Sequence, residues 1–269
     1  MTRYVAYATD GAPRLGAWIG DEIVDLGPDP DRLTDGPAPP ANASRHPAGE
    51  ARLLPPLRRA SKIVCVGRNY RDHVGEKGMV VPERPMLFAK LANAVIGPGE
   101  AIVRPPSTAE LDLECELGVV IGRRARRVAP EQALDAVFGY TIVNDVSARD
   151  HQRDDGQWLR AKSSDTFAPI GPCVVPREEI GDGSGLRITS SVNGETWQDS
   201  STDQMIFAVA AIIAFVSANI TLEPGDVVAT GTPAGVGQHQ DPPRFLQPGD
   251  VVRCEIEGIG VLENPVTAA

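Results

Sequence analysis

Glu114 and Glu116 stand one residue apart in the apolar run Leu111–Gly118, and Asp145 ends a second apolar run. Side chains at i and i+2 of a strand share a face, and carboxylates belong in solvent or on a metal. An extended 111–118 segment therefore brings Glu114 and Glu116 together, and an adjacent strand could supply Asp145. Three oxygen ligands with room for water suit a hard divalent cation such as Mg²⁺ or Mn²⁺. Upstream, His73-x-x-Glu76 sets a base and a carboxylate one helical turn apart, and the carboxylate raises the basicity of the imidazole. Such a pair can take a proton from water or from a carbon beside a carbonyl. Gly75 and Gly78 give the segment the mobility a lid requires.

The same residues have a plainer reading. Leu111, Leu113, Cys115 and Leu117 fill one alternate set, while Asp112, Glu114 and Glu116 fill the other. An ordinary half-exposed antiparallel strand alternates in this way too. His73 and Glu76 could equally decorate an exposed turn. The remaining motifs bear on the choice.

Lys162 is followed by Ser163-Ser164-Asp165-Thr166 and the apolar stretch Phe167–Pro172, and Gln152 lies between Asp145 and Lys162. A lysine at the mouth of an apolar strand can neutralise a carboxylate or a developing enolate. Gly231-Thr-Pro-Ala-Gly-Val-Gly237 follows an expected strand Asp226–Ala229. It lacks the Lys-Ser/Thr ending of a phosphate-binding loop, so it reads as a cradle whose N–H groups hold a small carboxylate. There is no G-x-S-x-G elbow, and Ser184 in Gly-Asp-Gly-Ser-Gly reads as a turn residue.

Composition bounds the function. The chain has 269 residues and a net charge of −10, and no basic cluster rises above the Arg123–Arg127 run, a solvated turn, so no nucleic-acid partner is expected. Its four cysteines form no C-x-x-C and sit in apolar stretches, which predicts buried, reduced thiols. No basic-then-apolar signal segment opens the chain, and the longest apolar run, Met205–Val216, is too short to span a bilayer. A cytoplasmic protein with no membrane partner is expected.

Short strands are predicted at Tyr4–Ala8, Leu15–Ile19 and Glu22–Leu26, separated by turns at Asp10-Gly11 and Gly20-Asp21. The Pro- and Ala-rich stretch Gly36–Pro56 reads as a linker or surface arm. Ile63–Gly67 opens a new strand, placing a boundary near residue 60 between a small N-terminal domain with its linker (1–60) and a larger domain (61–269). Beyond it, helices are predicted at Pro130–Val137, with Gly139 just past the end, and at Asp203–Ala218. Twin Pro-Gly turns begin strands within Leu222–Val228 and Leu246–Val252. The regular strand–helix alternation of a doubly wound fold is missing.

Taken in order, Gly67-Arg-Asn-Tyr with His73 and Glu76, the segment Leu111–Gly122, Gly139–Asp150, Lys162–Pro172 and Thr230–Gly237 strongly resemble the fumarylacetoacetate hydrolase family. The resemblance runs from about Ile63 to Pro265, and the first 60 residues look like the small extra domain of many bacterial members. It implies a β-rich α+β fold: a mixed β-sheet roll of the family's C-terminal type with a small β N-terminal domain. It also implies one bound Mg²⁺ or Mn²⁺, a homodimer, and a place in aromatic catabolism. Carried over by position, Glu114, Glu116 and Asp145 match metal ligands, while His73 and Glu76 match a lid dyad that activates water. Lys162 and Gln152 match residues near the substrate's oxygens, and Arg68, Asn69, Gly231 and Thr232 fall in substrate-binding segments. One position departs: where the family often has an aromatic before the Asp after its lysine, this chain has Ser164.

The expected activity is metal-assisted C–C bond hydrolysis of a small 2-oxo, 1,3-diketo acid such as an acylpyruvate. The cation would act as a Lewis acid on an enolate, and the dyad would activate water. The alternatives are isomerisation or tautomerisation of a hydroxymuconate-type diacid and decarboxylation of an oxaloacetate-type one. A catalytically silent ligand-binding module is the non-enzymatic alternative, against which the intact His73 and Glu76 speak.

Overall fold

Cys115–Ile121 carries seven consecutive buried residues, so both of its faces are covered and the half-exposed strand is not what forms. The computed structural model describes residues 2–9, 11–57, 60–76, 78 and 80–269. The turn expected at Asp10-Gly11 includes Asp10, outside the described residues. Cys115–Ile121 pairs antiparallel with Val137–Asn144 on one side and with Val227–Ala229 on the other. Val227–Ala229 in turn pairs parallel with Ile63–Gly67, which pairs antiparallel with Met86–Lys90. This mixed sheet places the segments bearing Arg68, Glu114, Asp145 and Thr230–Gly237 at the ends of neighbouring strands.

The N-terminal strands form as expected, at Arg3–Ala8, Arg14–Ile19 and Glu22–Gly27. They continue the same sheet, because Arg3–Ala8 pairs with Ala168–Pro176 at Tyr4↔Val174. The Pro-rich arm is more ordered than its composition suggests. Arg45–Pro47 and Arg52–Leu54 add strand pairs, and Leu54 and Leu57 are buried.

A second sheet runs Glu195–Ser201, Arg187–Val192, Val251–Ile256, Gly260–Ala268 and Ile102–Arg104. Val252, Cys254 and Ile256 point inward while Val251, Arg253 and Glu255 are exposed, the period of a one-sided sheet. Its inner residues join Leu117, Val119, Tyr140 and Cys173 of the first sheet in one core. All four cysteines are free and buried. No helix among the described residues is long and apolar enough to cross a membrane.

Both predicted helices are shorter than expected. Pro130–Ala133 is α-helical and Leu134–Ala136 is 3-10, after which Val137 already belongs to a strand. Gly139 is therefore a strand residue: a Cβ there would collide with the Val175 carbonyl. The long helix begins at Val209, not Asp203, and ends at Ser217. Its apolar forerunners are used otherwise, since Met205 bridges to Tyr70 and the Ile206 N–H donates to the Asn69 carbonyl at 2.7 Å.

Candidate active site

The register Cys115↔Asn144 sets Glu114 beside Asp145, and the Asp145 N–H donates to the Glu114 carbonyl at 2.9 Å. One carboxylate oxygen from each of Glu114, Glu116 and Asp145 lies within 4.8 Å of the other two, and all three residues are buried. The convergence expected from the i, i+2 spacing is what the fold delivers.

The cations around this cluster are unevenly shared. The Lys162 ammonium lies 2.7 Å from Glu114 Oε2 and 2.8 Å from Asp145 Oδ2, and Arg149 reaches Glu114 Oε1 at 2.7 Å. Lys90 donates to Asp145 Oδ1 at 2.5 Å. Burial opposes the Lys162 charge, but Asp145 and Glu114 outweigh it and raise its pKa. For Lys90 burial wins, and its pKa falls. Glu114 is also desolvated, yet Arg149 and Lys162 hold its carboxyl well below the ordinary range. Glu116 goes the other way. Burial, then the charges of Asp145 and Glu114, push its carboxyl well above its usual value, and its hydrogen bond is to the Gly231 N–H at 2.8 Å. A buried carboxylate facing two others is what a bound cation relieves, and an all-oxygen donor set matches a hard divalent ion.

Above the cluster, the short helix Arg71–Gly75 positions His73, whose Nδ1 lies 3.1 Å from Glu76 Oε2. His239 Nδ1 meets the same oxygen at 2.9 Å, and the two imidazoles stack with centroids 5.0 Å apart. Gly235 N–H donates to Glu76 Oε1 at 2.7 Å. Burial alone would raise the Glu76 pKa, but hydrogen bonds from His239, His73 and Gly235 hold it at about 2. The dyad is a triad.

The glycine-rich loop does cradle carboxylates, but they are the protein's own. Gly231, Gly235 and Gly237 donate to Glu116, Glu76 and Asp112 respectively. Asp112 also accepts from the Arg149 Nε at 2.9 Å, so Arg149 links the loop's anchor to Glu114.

These groups surround a pocket of about 390 Å³, lined among others by Arg68, His73, Arg149, Gln152, Lys162 and Thr232. Phe88 and Trp158 give it an aromatic wall, with Lys162 Nζ 5.1 Å from the Phe88 ring centroid. Ser164 points elsewhere, donating to the Arg160 carbonyl at 3.0 Å. Arg68 reaches the pocket with φ of +57°, a left-handed backbone costly for a non-glycine residue. Asn69 is not at the pocket. Its amide donates to the carbonyls of Phe207 and Thr230 at 3.0 and 2.7 Å and accepts from the Phe207 N–H at 2.8 Å. Its place is structural, clamping the turn after Ile63–Gly67 to the loop that carries Thr232.

Sequence reasoning missed Lys90, Arg149 and His239. His239 is one of four histidines and stands two residues after the glycine-rich loop, a usable signal. Asp112 extends the acid alternation, and a buried acid of that kind calls for a buried cation, but nothing local names Arg149 as its partner.

In this β-rich roll, buried carboxylates, lysines and paired imidazoles open on one pocket, the makeup of an enzyme active site. The chain belongs to the fumarylacetoacetate hydrolase family, whose C-terminal domain matches residues 62–267. It is 46% identical over 222 residues to a mitochondrial oxaloacetate tautomerase of Bos taurus, covering 82% of this chain and 71% of that one. Among solved structures it resembles a fumarylacetoacetate hydrolase from Exiguobacterium antarcticum, with a TM-score of 0.91 and 38% identity over the whole of both chains. A 2-hydroxyhepta-2,4-diene-1,7-dioate isomerase from Mycobacterium marinum gives a TM-score of 0.86 at 37% identity, covering 100% of this chain and 99% of that one. These relatives favour the isomerase or tautomerase alternative over the C–C hydrolase that led the sequence reading. The bovine protein is mitochondrial, so it lends no support to a cytoplasmic location.

Proposed function

We propose that the protein moves a proton between carbon and oxygen of a small 2-oxo diacid, as a keto–enol tautomerase or closely related isomerase. The observation that carries this reading is the pair of imidazoles, His73 and His239, both tied through Nδ1 to the one Glu76 carboxylate at a cationic pocket. A carboxylate ionised down to about pH 2 accepts an Nδ1–H bond from each ring, leaving Nε2 of each ring for proton transfer. Tautomerisation needs one group to accept a proton and another to return it, so one ring serves as the neutral base at Nε2 and the other, as an imidazolium on the same Glu76 anchor, serves as the acid.

His73 is the more buried ring and close enough to the acid cluster for a charge gained there to act on Glu114. It is assigned to accept the proton from the carbon beside the keto group. His239, entering the step as the imidazolium on Glu76, gives its Nε2 proton to the substrate oxygen as His73 gains one, so the single positive charge that Glu76 offsets passes from one ring to the other and is reset by exchange with solvent. Lys162 and Arg149 stabilise the oxygen that gains charge, and Arg68 and Gln152 position the far carboxylate. Glu114, Glu116 and Asp145 would hold a divalent cation, Mg²⁺ or Mn²⁺. When bound, that ion supplies Lewis acidity toward the substrate's oxygens. The lines of support are the burial of Glu116 against the charges of Asp145 and Glu114 and the names of the relatives. Homodimeric assembly, implied by the family, is part of the proposal and is read by sedimentation.

The test follows deuterium uptake at the carbon between the carbonyls of oxaloacetate in D₂O, with acylpyruvate cleavage measured beside it. Catalysed exchange without cleavage supports proton transfer. Efficient acylpyruvate cleavage with no exchange would restore the hydrolase.

A further inference from the structure

The same three groups that anchor the proton-transfer pair have the composition of a metal site. His73, Glu76 and His239 each offer a ligand atom within 4.8 Å of the other two. Two imidazoles and one carboxylate form the facial set that takes borderline transition ions, whereas the all-oxygen acid cluster suits hard ones. Two ligands at the tetrahedral angle, each roughly 2.1 Å from one ion, stand about 3.4 Å apart. The Nδ1–Oε2 separations are 3.1 and 2.9 Å, so the three groups need open by only a few tenths of an ångström to admit the ion.

The surroundings fit as well. The Glu76 side chain keeps 20% of its surface exposed and His239 lines the pocket, so an ion can enter, while the Gly235 N–H on Oε1 fixes the carboxylate as an outer hydrogen bond should. Glu76 remains an anion throughout the working range of pH.

We propose that His73, Glu76 and His239 form a second cation site, selective for a Zn²⁺-like ion, whose occupation switches off the proton-transfer pair. Each ring binds in the form that carries one proton on Nε2, any further ring proton being released to water, and both Nδ1 atoms and the carboxylate turn to the ion. The Nε2 atoms then carry protons and accept none, so the bases are lost. Binding does not depend on which reaction the enzyme performs; only the inhibition rests on the tautomerase reading.

The experiment uses the full chain in excess Mg²⁺ and counts bound Zn²⁺ by equilibrium dialysis in wild type, His239→Ala, Glu76→Gln and Glu116→Gln. The expected result is one Zn²⁺ per chain in wild type and in Glu116→Gln, with affinity at least tenfold weaker in His239→Ala and Glu76→Gln. Co²⁺ in the same wild-type protein should broaden the ring signals of His73 and His239 and spare those of His46 and His151, a readout that needs no variant to fold. Full Zn²⁺ affinity in folded His239→Ala, zinc lost only in Glu116→Gln, or broadening confined to other histidines would each overturn the site. Zinc should abolish proton exchange at the concentration at which it binds. Bound zinc with undiminished exchange would overturn the switch. Bound zinc on a protein with no exchange activity at all would sustain the site and count against the proposed reaction.

Discussion

Gly231 donates its N–H to Glu116 Oε2 over 2.8 Å, joining the glycine-rich loop to the carboxylate with the most unfavourable charge environment in the cluster. Gly231 has φ of +101°, and a Cβ there would sit 2.8 Å from Asn69 Cβ and 3.0 Å from the Val66 carbonyl oxygen. Gly231→Ala should therefore lower stability by about 1–3 kcal/mol. It should also weaken divalent-cation binding by moving the N–H off Glu116. Urea unfolding and Mn²⁺ titration check both effects, and an alanine variant with wild-type values in each would remove the loop from the account.

Asn69 and Phe207 make a reciprocal pair of hydrogen bonds, with a third from the Asn69 amide to Thr230. Asn69→Ala leaves buried backbone groups without partners and should reduce stability by about 2–4 kcal/mol. If the residue only clamps the backbone, the KM of molecules that remain folded stays near wild type. A large KM increase with unchanged stability would return Asn69 to substrate binding.

Much of this site was legible in the sequence, and the reasons differ by residue. The convergence of Glu114 and Glu116 follows from strand period alone, and the apolar runs around them mark the strands. Asp145 needed strand order, which local pattern does not carry. The one-residue ambiguity between a solvated acid face and a buried one was settled by Arg149, Lys162 and Lys90, cations brought from distant segments. The helix expected at Asp203–Ala218 was over-extended because Met205 and Ile206 keep helical spacing yet are claimed by Tyr70 and Asn69. Tertiary pairing overrode local periodicity there. The glycine-rich loop was read as an anion cradle, and the anions it holds are Glu116, Glu76 and Asp112.

Glu76 gives a pH signature. Its folded pKa of about 2 lies below the ordinary glutamate value, so its hydrogen bonds stabilise the fold fully above about pH 4.5 and progressively less as pH falls toward 2. Wild type should therefore unfold at a higher temperature than Glu76→Gln at pH 6, and the gap should close between about pH 4.5 and 2. Solvent screening of this half-exposed group keeps the difference modest. A gap constant down to pH 2 would show that the two histidines and Gly235 do not hold the carboxylate as described.

Removal of divalent cations by chelation should abolish turnover, and Mg²⁺ or Mn²⁺ should restore it. Glu116→Gln should lose this rescue while folding normally. Without metal the variant should be as stable as wild type or more so, because it removes a buried carboxylate that faces two others. Full metal affinity and turnover in Glu116→Gln would make the trio a structural charge cluster only.

The central claim is that His73 and His239 act as a proton-transfer pair on Glu76. Its most direct measurement is the rate of deuterium exchange into oxaloacetate by wild type, His73→Ala and His239→Ala at saturating Mg²⁺. The account predicts a loss of about 10²–10⁴-fold in exchange for His73→Ala and a clear loss for His239→Ala, with substrate still bound in both. Exchange at the wild-type rate in a folded His73→Ala protein would contradict it.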